Sequence, residues 1–261
     1  MALLIIIKYI PNKKSAKASE ASIKDLLKNP SYMLVVTVFG FVALVQFGFR
    51  MLLSQWFKLS QDKSGLGWES EQNVGYVNSL AGIILIFFPL FCTPYLTKIF
   101  GVKKTCQLVI SLMVPITIIL PFYSQVTNEI VLWVLLSLSI GFFISFTTVF
   151  TSVISIAATN TVSHELVGRA MGFCQSYVAM FRSLANAFMA LLCGWVVSLD
   201  LNFPFTVDIL FFACGFILVF AVIMMKYCMG EEVEKRKQNE GDKKMEPLLD
   251  KKLSSSPKEK S

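Results

Sequence analysis

The sequence predicts an all-α membrane protein, a bundle of six transmembrane helices. Three observations carry this. The 261 residues are 55% hydrophobic and only 16% charged, against about 45–50% and about 25% in soluble domains. The apolar excess is gathered into six stretches between Tyr32 and Cys228, each as long as the roughly 20 residues that cross a bilayer. Alternating-polarity strands of a barrel are missing, and backbone amides in lipid must then be satisfied within helices. A soluble enzyme, a disulfide-stapled secreted domain and a disordered chain are excluded.

Residues 1–10 are apolar but only about 15 Å long as a helix, too short to span, and read as the end of a preceding transmembrane helix. Residues 11–31, with Lys13, Lys14, Lys17, Lys24 and Lys28, read as a cytoplasmic linker. The bundle proper is residues 32–228, with spans at 32–55, 73–97, 104–124, 130–157, 166–198 and 204–228. Breakers and polar residues mark connections at Ser60–Gly67, Lys98–Lys104, Ser124–Asn128, Asn160–Glu165 and Asp200–Pro204. The tail, 229–261, interleaves lysines with acids without apolar periodicity and reads as a disordered cytoplasmic segment.

Lysine and arginine collect on one side: the N-terminal segment, Lys98, Lys103, Lys104, Arg169 and the tail. The other side holds Lys58 and Lys63 among Asp62, Glu69 and Glu71. The positive-inside rule then puts both termini in the cytoplasm. The same rule accounts for the net charge of +7, which points to topology beside the lipid bilayer and not to nucleic acid.

The spans differ in polarity. The third and sixth are nearly pure apolar and read as lipid-facing. The fourth carries Ser137, Gly141, Ser145, Thr148, Ser152 and Ser155 on one helical face, and the fifth Ser176, Ala179, Ser183, Asn186 or Ala187, Ala190 and Gly194, after Gly168 and Gly172. Such stripes serve close helix packing or line a water-filled cavity. Packing is the expectation for the Gly and Ala positions. For Gln46, Arg50, Gln175, Arg182 and Asn186 a cavity gains weight, because polar groups within the membrane are costly and usually face an interior path. Arg50 could also snorkel to the outer interface, and Asp208 is the natural ion-pair partner for Arg182.

No metal site and no cofactor is expected. The cysteines (Cys92, Cys106, Cys174, Cys193, Cys214, Cys228) lack ligand or redox spacing and read as packing residues, and His164 is the sole histidine. A membrane-embedded hydrolase would need a carboxylate pair, a serine with a base or a metal cluster. Ser163, His164 and Glu165 read instead as a helix start.

Specific residues resemble the major facilitator superfamily. Thr93 to Lys104, with Pro94, Lys98, Gly101, Lys103 and Lys104, is similar to the second-half copy of its short basic loop motif, although Lys98 stands where that motif has an acid. Gly65-Leu66-Gly67-Trp68, Asn73-Val74-Gly75 and Ala81-Gly82 resemble the loop and eighth helix. Val167 to Gly172, with Arg182 beyond, resemble the eleventh; Ala185-Asn186 replaces the usual Gly-Pro. The nearest pattern is that of zinc-induced-facilitator-like and tetracycline-resistance-like antiporters.

The resemblance implies one half of the major facilitator fold, helices seven to twelve, with helices seven, eight, ten and eleven around a cavity. It implies a secondary, proton-coupled transporter of a small organic solute that needs an N-terminal six-helix half or a second copy of the chain. Gln46, Arg50, Asn78, Thr148, Ser152, Gln175, Arg182 and Asn186 are then the candidate substrate-cavity residues. The alternative is a truncated, non-transporting membrane protein that assembles with a partner half. Glu246-Pro247-Leu248-Leu249 resembles a dileucine sorting signal for vacuole or lysosome, although Lys244 stands where that signal has an acid; the expected location is the plasma membrane or the membrane of a vacuole or lysosome.

Overall fold

The computed structural model describes residues 23–68, 71–162, 166–199 and 206–228, with Gly230 and Val233. The expectations for residues 1–22, for Ser163 to Glu165 and for the tail beyond Val233 lie outside the described residues. The elements are helices: α1 Ile23–Lys28, α2 Pro30–Lys58, α3 Glu71–Ile119, α4 Glu129–Asn160, α5 Val167–Ser198 and α6 Asp208–Cys228. Short 3-10 turns, Gln61–Lys63 and Leu120–Gln125, precede and follow α3. Among the described residues, five helices are long and apolar enough to cross a membrane.

One of these five makes two crossings. The stretch Gln72–Gln125 has 54 residues, about 80 Å as a straight helix, against a hydrocarbon core of about 30 Å. Gly101, at φ 77° and ψ 177°, breaks it into arms 71–100 and 102–119, a conformation essentially reserved for glycine. The Thr105 hydroxyl donates to the carbonyls of Gly101 at 2.6 Å and of Leu96 at 3.0 Å. Leu96 and Thr105 would stand about 13 Å apart along an unbroken helix, so the chain folds back at Gly101. The connection expected over Lys98–Lys104 is therefore a single glycine flanked by helix. Lysine and phenylalanine there continue the helical arms.

Helix starts are fixed by side chains. Asn29 caps α2 by accepting from the Tyr32 amide at 3.2 Å, with Pro30 in the first turn. Asn128 caps α4 by accepting from Ile130 and Val131. In each case a side-chain oxygen replaces the missing backbone acceptor. Both α1 and the first residues of α2 thus fall inside the stretch read as linker.

Two long-range bonds knit one end of the bundle. The Asn29 amide donates to the Thr161 carbonyl at 2.9 Å and the Tyr32 hydroxyl to the Ala170 carbonyl at 2.6 Å, so the starts of α2 and α5 meet the end of α4. At the other end the loop after α2 folds over it. Trp56 Nε1 donates to the Ser64 carbonyl at 2.7 Å, and the Trp68 amide to Phe57 at 2.8 Å. A Cβ at Gly65 would collide with the Leu59 carbonyl, so this turn admits only glycine there.

Close contacts define the helix pairs. A Cβ on Gly141 of α4 would lie 3.3 Å from the Ala81 Cα, pressing α4 on the 71–100 arm. Gly215 of α6 faces Ile118 and Thr117 of the 102–119 arm, while Gly40 and Gly48 of α2 face Tyr177, Phe181 and Met189 of α5. Helix α2 is central, its apolar window 61% buried, whereas that of α5 is 22% buried. The packing expected of the α5 stripe is not met among the described residues: none of them lies within 4 Å of a Cβ on Gly168, Gly172 or Gly194. The α4 stripe divides. Ser137, Gly141 and Ser145 are buried against neighbours, and Thr148 and Ser152 are exposed.

Candidate substrate cleft

A cavity of about 360 Å³ lies between α2, the 71–100 arm and α4. Arg50 and Ser54 of α2, one turn apart and so on one face, meet Asn78 of the arm at its polar side; Phe49, Phe143 and Ile140 are among its apolar lining. A second hollow shares Ser54, Val74 and Asn78 and extends the groove to Lys58. Among the described residues neither is lined by an acidic one. The Phe49 and Phe143 rings stack at 4.0 Å between centroids on the apolar side of the cavity.

Of the eight candidate residues, Arg50 and Asn78 are brought together on this cavity. Thr148 and Ser152 are exposed on α4, and their hydroxyls donate to the carbonyls of Ile144 and Thr148 of their own helix at 2.9 and 3.0 Å. They therefore offer a ligand acceptors only. Gln175 and Asn186 are exposed on α5, and Gln46 is half-buried on α2 outside both hollows.

Arg182 stands near the middle of α5, half-buried, with its guanidinium carbon 5.1 Å from the centroid of the Phe47 ring on α2. Its Nε is buried without a hydrogen-bond partner. The expected ion pair with Asp208 is not formed. Arg182 precedes the end of α5 at Ser198 by sixteen residues, about 24 Å, whereas Asp208 opens α6 at the loop end of the bundle. The buried Asp208 carboxylate accepts from Thr206 Oγ1 at 2.8 Å through Oδ2, and its Oδ1 is left over. The mismatch is one of depth, invisible when only outer and inner halves are assigned.

The motif residues sit at the Gly101 turn: Pro94 lies in the 71–100 arm, Lys98 and Lys104 are exposed, and Lys103 is half-buried. Ser54, Phe49 and Phe143 were not among the expected site residues. A lone serine and ring-bearing positions in a uniformly apolar helix carry no periodic signal. Among the described residues no group of three His, Cys, Asp or Glu stands together as a metal site.

Comparison with known proteins identifies the family. The chain is 22% identical over 190 residues to Protein ZINC INDUCED FACILITATOR 1 of Arabidopsis thaliana, an alignment covering 70% of the chain and 37% of that protein. The chain thus spans well under half the length of this relative. No solved structure matches it. A family-wide sequence profile described as Major Facilitator Superfamily matches residues 1–177. With that match over more than half its length, and with a membrane bundle of all-helical crossings, the chain belongs to the major facilitator superfamily of membrane transporters.

Proposed function

We propose that the chain is the C-terminal, six-helix half of a secondary transporter, working by alternating access and carrying a small organic solute. The observation that carries this reading is the uncovered, polar surface of α5. Its apolar window is 22% buried, and Gln175, Ser176, Ser183 and Asn186 are exposed along it. In hydrocarbon such groups are costly, so this surface is suited to a water-filled path and a facing bundle, whether an N-terminal half or a second copy. The alignment with a relative of which it covers 37% is consistent with a half.

Proton coupling, as in the antiporters the sequence resembles, would draw its titrating carboxylate from the facing bundle. Among the described residues of the crossing helices, the acids Glu71, Glu129 and Asp208 all open helices. Grouping of Lys28, Arg169 and the Asn29–Thr161 contact at one end supports termini on the cytoplasmic side.

The test purifies membrane complexes through a tag on this chain and reconstitutes them with a pH-sensitive dye inside. Adding organic acids, amines and sugars in turn should produce proton flux with at least one class. Absence of flux and of labelled-solute uptake with every class would sink the transporter reading and favour a non-transporting assembly partner. An immunoblot against the tail accompanies it: a band at roughly twice 29.3 kDa identifies one continuous two-half chain, and one at 29.3 kDa a separate half.

A further inference from the structure

We infer that the cavity between α2, the 71–100 arm and α4 is a site for an organic anion with an apolar body, its head held by Arg50 and Asn78. This rests on the transporter reading above and narrows its substrate class. A guanidinium carries five donors and no acceptor. Among the described residues Arg50 makes no hydrogen bond or ion pair, and the Asn78 amide on the facing arm is equally unengaged. Both border the same hollow, so unengaged donors share it with only the neutral oxygens of Ser54 and Asn78 as side-chain acceptors.

The Ser54 hydroxyl donates to the Met51 carbonyl at 2.8 Å, leaving Arg50 and Asn78 as the free side-chain donors on the cavity. Among the described residues no Asp or Glu lines either hollow, so a cation there would meet a guanidinium with no described carboxylate beside it. A carboxylate fits the planar fork of arginine through two parallel bonds. Nor is Arg50 simply a terminal anchor: it precedes Lys58, the last residue of α2, by eight residues, about 12 Å.

The remaining wall selects the body. Phe49 and Phe143, stacked at 4.0 Å, stand with Ile140 and Leu53 along the cavity. At about 360 Å³ it falls at the small end of ligand pockets, which run from about 300 to 1,000 Å³. A mono-anion with one or two rings or a short acyl chain suits it. The same chemistry is presented by a soluble carboxylate and by the headgroup of an anionic lipid.

The full chain in nanodiscs of neutral phosphatidylcholine is tested with radiolabelled naphthoate, using unlabelled naphthoate, naphthylmethylamine and naphthalenemethanol as competitors. Naphthoate should bind saturably and be displaced by itself alone. Arg50→Gln should weaken it at least about tenfold, a loss matching one charge-assisted contact, with partial recovery in Arg50→Lys and a smaller loss in Asn78→Ala. The competitor series on the unmodified chain needs no variant to fold. Displacement by the amine as strong as by naphthoate, or undiminished binding in a folded Arg50→Gln chain, overturns the proposal.

Phosphatidylglycerol retained through detergent exchange by the chain and lost in Arg50→Gln, without naphthoate binding, assigns the site to a lipid headgroup. Neither ligand binding overturns it. Arg50-dependent binding without uptake in proteoliposomes defeats the transporter reading and keeps the site; uptake indifferent to Arg50→Gln does the reverse.

Discussion

The hydroxyl of Tyr32, on the first turn of α2, donates a 2.6 Å hydrogen bond to the carbonyl of Ala170, on the first turn of α5, 138 residues away. Both residues are buried. The bond fixes the end of the one helix pair through which the sparsely covered α5 is held, since α5 packs chiefly on α2. Tyr32→Phe keeps the ring against Phe173 and removes only the hydroxyl. It should cost about 0.5–1.5 kcal/mol, nearer the lower figure because interhelical bonds in membranes average about 0.6 kcal/mol. A fall in melting temperature in nanodiscs, with transport retained, is the expected outcome; an unchanged melting curve would show the bond to be energetically neutral.

The fold-back at Gly101 makes a sharper demand. With φ at 77° and ψ at 177°, a Cβ is strained whatever the surrounding space, at about 1–3 kcal/mol. Gly101→Ala should therefore lower the melting temperature and the yield of monodisperse protein. Lys104→Gln, on an exposed side chain three residues away, should leave both unchanged. Equal behaviour of the two variants would contradict the turn geometry.

How much of this was legible in the sequence varies with scale. The crossings were, because each apolar run matches a bilayer in length. The reversal at Gly101 was blurred into a loop of seven residues, Lys98–Lys104, because lysines there look like a connection while a single left-handed glycine suffices for the turn. Polar stripes were visible, but their division was not. Ser145 and Thr148 of α4 lie on one helical stripe, and only the neighbours brought in by tertiary packing make the first buried and the second exposed. Arg50 and Asn78 stood out singly as polar residues in apolar helices. Their meeting across a cavity, and the aromatic floor beneath them, depend on how α2, the 71–100 arm and α4 pack.

The cysteines offer a direct check of that packing. Cys106, Cys174, Cys193 and Cys214 are buried and unpaired, and Cys92 is partly accessible. A thiol reacts only where reagent reaches it. Brief treatment of the folded protein with N-ethylmaleimide, followed by peptide mass spectrometry, should therefore modify Cys92 well before those four. Heating above the melting temperature should equalise them. Early labelling of Cys106 or Cys214, both enclosed between the 102–119 arm and its neighbours, would contradict the placement of that arm.

Arg182 carries the most consequential prediction for transport. It sits halfway along α5 with Phe47 as its face-on neighbour at 5.1 Å and with Nε buried and unpartnered. The cation–π contact is worth about 0.5–2 kcal/mol, too little to offset a charge held within the membrane, for which insertion scales give about 2.5–3.5 kcal/mol at a helix centre. A charge so placed is retained for what it binds or repels. Arg182→Gln should then abolish solute uptake by the reconstituted assembly while leaving expression and melting temperature equal or improved. Phe47→Leu, which removes the ring and keeps the cation, should reduce uptake by a smaller factor. If Arg182→Gln transports normally with normal proton flux, the residue is structural and the path runs past Arg50 alone.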